Sequence, residues 1–145
     1  MRGTCARPVK VWRSDDRPHR HAEAVNQVSH HRKKWGREIC LVNNPDYGYC
    51  SKIMEVTNGY GSSLHRHLNK TETFVVLSGR LRVELLGVWT LNPGDSLTIL
   101  PGSWHSFQTP DSQCVFLEIS TFHDDSDVQR LDASGPVPTS EKVAR

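Results

Sequence analysis

The chain has 145 residues, enough for one domain with a real core, and at 36% hydrophobic residues with a mean hydropathy of −0.55 it is polar for a compact fold. No run approaches the ~18 apolar residues of a membrane span, and no apolar stretch follows the charges of Met1–Lys10 as a secretory signal requires. The compartment expected is therefore the cytoplasm, with no membrane partner.

Charge is unevenly placed. Residues 1–38 carry ten Lys/Arg against four acids, a net of +6, while the remaining 107 residues carry a net of −4. A basic leader of this kind is either a nucleic-acid arm or a solvated tail. Asp15, Asp16 and Glu23 are scattered through it and stacking aromatics are sparse, which favours the tail. No nucleic-acid partner is expected.

Residues 1–30 show no period of 2 or 3.6 and few large apolar side chains, too little to offset ordering entropy. The expected organisation is a flexible basic segment over 1–33, a barrel over 34–132 and a polar tail over 133–145. Strands are predicted over Glu38–Asn43, Tyr49–Val56, Ser63–His67, Glu72–Leu77, Arg80–Leu86, Val88–Leu91, Ser96–Leu100, His105–Thr109 and Gln113–Ser120. Asn43-Asn44-Pro45-Asp46, Asn58-Gly59, Ser78-Gly79, Pro93-Gly94-Asp95, Pro101-Gly102 and Pro110-Asp111 punctuate them. Asp125–Leu131 has room for one helical turn. Many short strands with regular turns argue a β-sandwich or closed barrel.

Cys5, Cys40, Cys50 and Cys114 lack CxxC spacing, so reduced thiols are expected, with a Cys40–Cys50 bridge as the lesser alternative. Trp35 is expected to anchor the first strand, and Trp89 and Phe74 to serve in packing.

Strand parity decides which side chains look inward. His65 and His67 share one face, opposite Leu64, Arg66 and Leu68. Cys114, Phe116, Glu118 and Ser120 share a face of an otherwise apolar strand. A carboxylate at Glu118 needs a cation, a hydrogen-bond network or water. A pair with an arginine such as Arg82 and a place in a metal-containing cavity are the two alternatives.

Two imidazoles on one strand face can share an ion, and Glu72 follows across a tight connection. His105, after Pro101-Gly102, supplies a fourth ligand. Three histidines and a carboxylate suit one divalent metal ion (Mn, Zn, Fe, Co or Ni) and leave positions for substrate. His19-Arg20-His21 has the same spacing but lies in a segment without strand pattern, so it receives no role.

The spacing Gly59-x5-His65-x-His67-x4-Glu72-x6-Gly79 matches the first cupin motif at every defined position. Gly94-x5-Leu100-Pro101-Gly102-x2-His105 resembles the second, with Leu100 where proline is usual and Thr109 where asparagine is usual. The resemblance implies an all-β, single-domain cupin, a small antiparallel β-barrel or jelly roll, commonly a homodimer. An edge near residues 35–56 that needs covering adds to that expectation.

Lys34-Trp35-Gly36-Arg37-Glu38 before the barrel and Glu118–Asp127 after it resemble the D-lyxose isomerase-like sugar isomerase cupins. They are more distantly similar to the cupin half of bifunctional mannose-6-phosphate isomerases. This implies a metal-dependent aldose–ketose isomerase acting on a sugar or sugar phosphate through an enediol(ate). Catalytic candidates are Glu118 as base and Lys70 as a donor beside the ligands. Trp104, His123 and Asp125 are candidates for binding substrate. A non-catalytic sugar-binding cupin and an Fe-dependent dioxygenase are the alternatives.

Overall fold

The computed structural model describes residues 27–137. His19-Arg20-His21, Cys5 and most of the basic leader lie outside the described residues, as does the tail beyond 137.

The described chain is built from β1 (Ser29–Lys33), β2 (Gly36–Asn44), β3 (Tyr49–Val56), β4 (Tyr60–Gly61), β5 (His65–His67), β6 (Glu72–Ser78), β7 (Leu81–Glu84), β8 (Val88–Leu91), β9 (Ser96–Ile99), β10 (Ser106–Thr109), β11 (Cys114–Thr121), β12 (Val128–Arg130) and β13 (Gly135–Pro136). A six-stranded sheet runs in the order β1-β2-β3-β11-β6-β9, and a five-stranded sheet runs β13-β4-β10-β7-β8. A separate pair joins β12 to β5. Every pairing is antiparallel. The fold is the all-β jelly roll expected.

Alternation places the core. Along β3, Cys50, Met54 and Val56 face inward with Lys52, and along β11 Cys114, Phe116, Glu118 and Ser120 do the same. Phe74, Phe107 and Phe116 meet at one level of the barrel, with ring centroids 4.8–6.0 Å apart. Trp35 closes that cluster edge-on to Phe107 at 5.2 Å, which is how it anchors the start of β2. Trp89 does not pack in the core: it is half exposed, and its indole donates to the Leu85 carbonyl at 3.0 Å. β8 is an edge strand, so its outward side chains have no second layer to meet.

Two glycines are required by space as well as by φ. A Cβ at Gly79 (φ +76°) would meet the Gln113 carbonyl oxygen at 2.1 Å, and one at Gly36 (φ +148°) would meet that of Glu55 at 2.0 Å.

Four strands were not foreseen. β1 lies inside the segment expected to be flexible and pairs with β2 over its whole length. It has no alternating apolar pattern because all five of its residues are exposed. β2 is consequently no edge; the edges of that sheet are β1 and β9. The segment after β11 makes one 3₁₀ turn at Asp125–Asp127, inside the stretch where one helical turn was expected, and then continues as β12. β4 and β13 pair with each other, so the expected tail begins inside the sheet. Cys40, Cys50 and Cys114 are free thiols, and burial pushes the last two up to about 11. No helix of the described residues is long and apolar enough to cross a membrane.

Candidate metal centre

β5 is short, but its parity is decisive: His65 and His67 point inward and are buried, while Arg66 between them faces out. His105 precedes β10 and forms a two-way bridge with His65, each backbone N–H donating to the other's carbonyl at 3.0 and 2.9 Å. That bridge sets the two rings 4.4 Å apart. Glu72 opens β6 and is 2% exposed. One ligand atom from each of His65, His67, Glu72 and His105 lies within 4.8 Å of the others.

The donor set fits a metal ion. His65 Nδ1 sits 2.7 Å from the Ser63 carbonyl oxygen and His105 Nδ1 2.9 Å from that of Ser103. A carbonyl can only accept, so both Nδ1 atoms carry the proton and both Nε2 lone pairs are free for the cluster. His105 Nε2 and Glu72 Oε1 approach to 2.6 Å, yet both are buried without a properly directed hydrogen bond among the described residues. Two acceptor atoms converging this closely are arranged as ligands of one cation.

Electrostatics keep these groups in their ligand forms. Burial, and then the neighbouring His105, lowers His65 to about 4. Burial likewise lowers His67 to about 3, although Glu72 opposes it. For Glu72 burial alone would raise the value, but the Lys70 ammonium beside it holds the carboxyl below the usual range.

Lys70, the candidate donor, is buried, at 4% exposed. Its Nζ lies 2.6 Å from Glu72 Oε2 and 2.5 Å from Glu118 Oε1. Burial would lower its pKa, but Glu118 and Glu72 outweigh that and hold it above the ordinary lysine value. Glu118 thus faces inward as parity required, and its cation is Lys70 rather than Arg82.

The lysine is placed by a clamp that local pattern does not reveal. Asp127 accepts from the Leu68 and Asn69 backbone N–H groups at 3.1 Å and from Asn69 Nδ2 at 2.8 Å. These bonds pin the connection between His67 and Glu72. Beside it β12 pairs with β5, setting Val128 against His67 and Arg130 against His65. Arg130 also donates to Ser63 Oγ at 2.7 Å.

The centre opens into a cavity of about 410 Å³ whose lining includes His65, His67, Lys70, Glu72, Glu118 and His123. His123 and Asp125 stand at its rim, joined Nε2 to Oδ1 at 3.1 Å. Burial and the nearby Lys52 and Lys70 lower the His123 pKa, while Asp125 opposes them. Trp104 is not part of this cavity. It borders a separate outer groove with Leu64 and Pro101, and the Arg66 guanidinium lies over its ring at 4.8 Å. His105 points inward, so its chain neighbour points out. Glu38 and Lys52, both buried, line the metal cavity and received no role from sequence.

A barrel of antiparallel sheets with a His-His-Glu-His cluster on its inner face is the arrangement of a cupin, and residues 52–120 match the cupin domain family. Residues 52–120 thus form a cupin domain. Among solved structures, a cupin-2 domain protein of Rhodospirillum rubrum is 24% identical, with 86% of this chain and 84% of that one covered and a TM-score of 0.62. KdgF from Halomonas sp. is 18% identical over 62% of this chain and 81% of its own, with a TM-score of 0.56. Oxalate decarboxylase from Bacillus subtilis is 18% identical over 90% of this chain, with a TM-score of 0.66, but only 41% of its own length is spanned. No curated protein matches the sequence. At these identities the likeness shows the fold alone.

Proposed function

We propose that the protein is a metal-dependent aldose–ketose isomerase acting on a sugar or sugar phosphate. The observation that carries this reading is the buried Glu118–Lys70–Glu72 row beside the three histidines. It offers a proton acceptor and an N–H donor at the edge of a site that can hold a metal ion.

One divalent ion held by His65, His67, Glu72 and His105 would supply Lewis-acid polarisation of a carbonyl and its neighbouring hydroxyl. The chain's own groups would do the rest. Glu118 Oε1 would take the proton from the carbon bearing the hydroxyl and return it to the former carbonyl carbon. The hydroxyl proton would pass to the other oxygen, so no atom is gained or lost. Lys70 Nζ would donate a hydrogen bond to the oxygen on which negative charge develops. His123 and Asp125 would border the entering sugar, whereas the position of Trp104 gives it no part.

The test is incubation of metal-loaded protein with pentoses, hexoses and their phosphates in D₂O. Deuterium at C1 or C2 is expected, and Glu118→Gln should abolish it with metal content unchanged. No exchange across the panel would overturn the proposal. The tie of Glu118 to Lys70 favours a second reading, a sugar-binding cupin without turnover; there, binding would survive Glu118→Gln.

A homodimer is proposed as well. Ile39, Ile53, Leu117 and Val75 stand in register across the outer face of the six-stranded sheet. Beside them Ile119 and Leu77 are about half exposed. Light scattering on the purified protein would report the mass.

A further inference from the structure

The metal cavity is not the end of the cleft. A second cavity of about 490 Å³ continues from it, and the two share Lys33, Glu38, Lys52, His123 and Asp125. The outer chamber is polar. Ser29 and His31 of β1 and Asn43 of β2 form part of its wall, so the strand hidden in the leader builds this half of the cleft.

At the junction two lysines share one carboxylate. Lys52 Nζ lies 3.4 Å from Glu38 Oε1, and Lys33 Nζ lies 3.8 Å from Glu38 Oε2. Both contacts are looser than a charge-assisted hydrogen bond of about 2.7–2.9 Å. Lys52 is 5% exposed, and a buried ammonium without a close anion carries a large desolvation cost. The other acids nearby do not supply that anion. Glu118 is paired with Lys52 in strand register, but its carboxylate is engaged by Lys70 at 2.5 Å. Asp125 is held by His123, and its side chain is fully exposed. At the junction itself two ammonium groups thus face a single carboxylate, neither at hydrogen-bond distance, and both border the two chambers.

We propose that Lys52, assisted by Lys33, is an anion subsite that holds the carboxylate or phosphate of an acidic sugar while its other end lies at the metal centre. The assignment rests on the sugar reading above and gives the substrate a charge that the metal ligands alone do not specify. Glu38 acts there as a counter-charge that the anion displaces. The two halves of the pair therefore have opposite effects on binding.

The experiment is calorimetric titration of the Mn²⁺-loaded protein with D-glucuronate, D-glucose 6-phosphate and D-glucose. At least one anion is expected to bind about tenfold or more tighter than glucose, and which one does so separates a carboxylate from a phosphate site. Lys52→Met should erase that preference with manganese content unchanged, Lys52→Arg should retain it, and Glu38→Gln should strengthen it. Three outcomes overturn the proposal: failure of both anions to outbind glucose, survival of the preference in Lys52→Met, or equal weakening by Lys52→Met and Glu38→Gln, as in a merely structural pair. Because binding is read rather than turnover, an absence of deuterium exchange would remove the isomerase assignment and leave this one measurable.

Discussion

Lys70 Nζ and Glu118 Oε1 lie 2.5 Å apart, joining the loop after β5 to the middle of β11 inside the barrel. With Glu72 Oε2 at 2.6 Å on the other side, a single ammonium bridges two buried carboxylates. Lys70→Met leaves both without a cation and should destabilise the metal-free protein by about 3–5 kcal/mol. Adding metal should restore part of that loss, since Glu72 regains a positive partner. Glu118→Gln in the same background should restore more, and urea unfolding of the four combinations gives the coupling.

The histidines make the metal-free protein sensitive to acid in a defined window. In the unfolded chain both protonate near 6.5, but folded His65 does so only near 4 and His67 only near 3. Between these values the unfolded state binds more protons, so stability is full above pH 6.5 and falls as pH drops toward 3. The melting temperature of the metal-free protein should fall steadily through that range. These two ligands stay neutral well below pH 6.5, so metal should remain bound at about pH 5. Equilibrium dialysis against acidic buffers would measure this.

Asp127 acts on the metal centre only through the loop it clamps. Asp127→Ala should weaken metal affinity by about tenfold or more with the fold retained. Asp127→Asn keeps one acceptor oxygen and should recover part of the affinity. If alanine and asparagine bind metal like the parent protein, the clamp has no influence on the ligands.

Two turn glycines give a paired test of space against conformation. Gly79 and Gly94 both have positive φ, but only at Gly79 would a Cβ strike backbone; nothing lies within 4 Å of one at Gly94. Gly94→Ala should cost about 1 kcal/mol. Gly79→Ala should cost distinctly more, because β6 or the start of β11 must move. Thermal unfolding of the two variants decides it.

Trp104 gives the opposite kind of prediction. Its ring belongs to the outer groove with Arg66, so Trp104→Ala should leave metal content and sugar affinity unchanged. A loss of sugar binding would return it to the site.

The amino-acid sequence by itself determined the inner face of the barrel. Period-2 alternation is a local property, so it placed His65, His67, Phe116 and Glu118 inward before any fold was known. The turn glycines and the spacing of Glu72 and His105 were legible through their resemblance to the cupin motifs. What only the tertiary structure decided was how segments far apart in the chain meet. β1 carries no apolar pattern and becomes a strand by pairing with β2. β12 is fixed by bonds that link Asp127 to Asn69 and Gln129 to Arg66, spanning 58 and 63 positions. Lys70 was legible only as a donor beside the ligands, and Trp104 looked like a wall of the site. The first is buried because two carboxylates from other strands surround it, and the second faces out because its neighbour His105 faces in. Long-range charge pairing and the docking of patternless segments depend on the whole folded chain, and no local period encodes them.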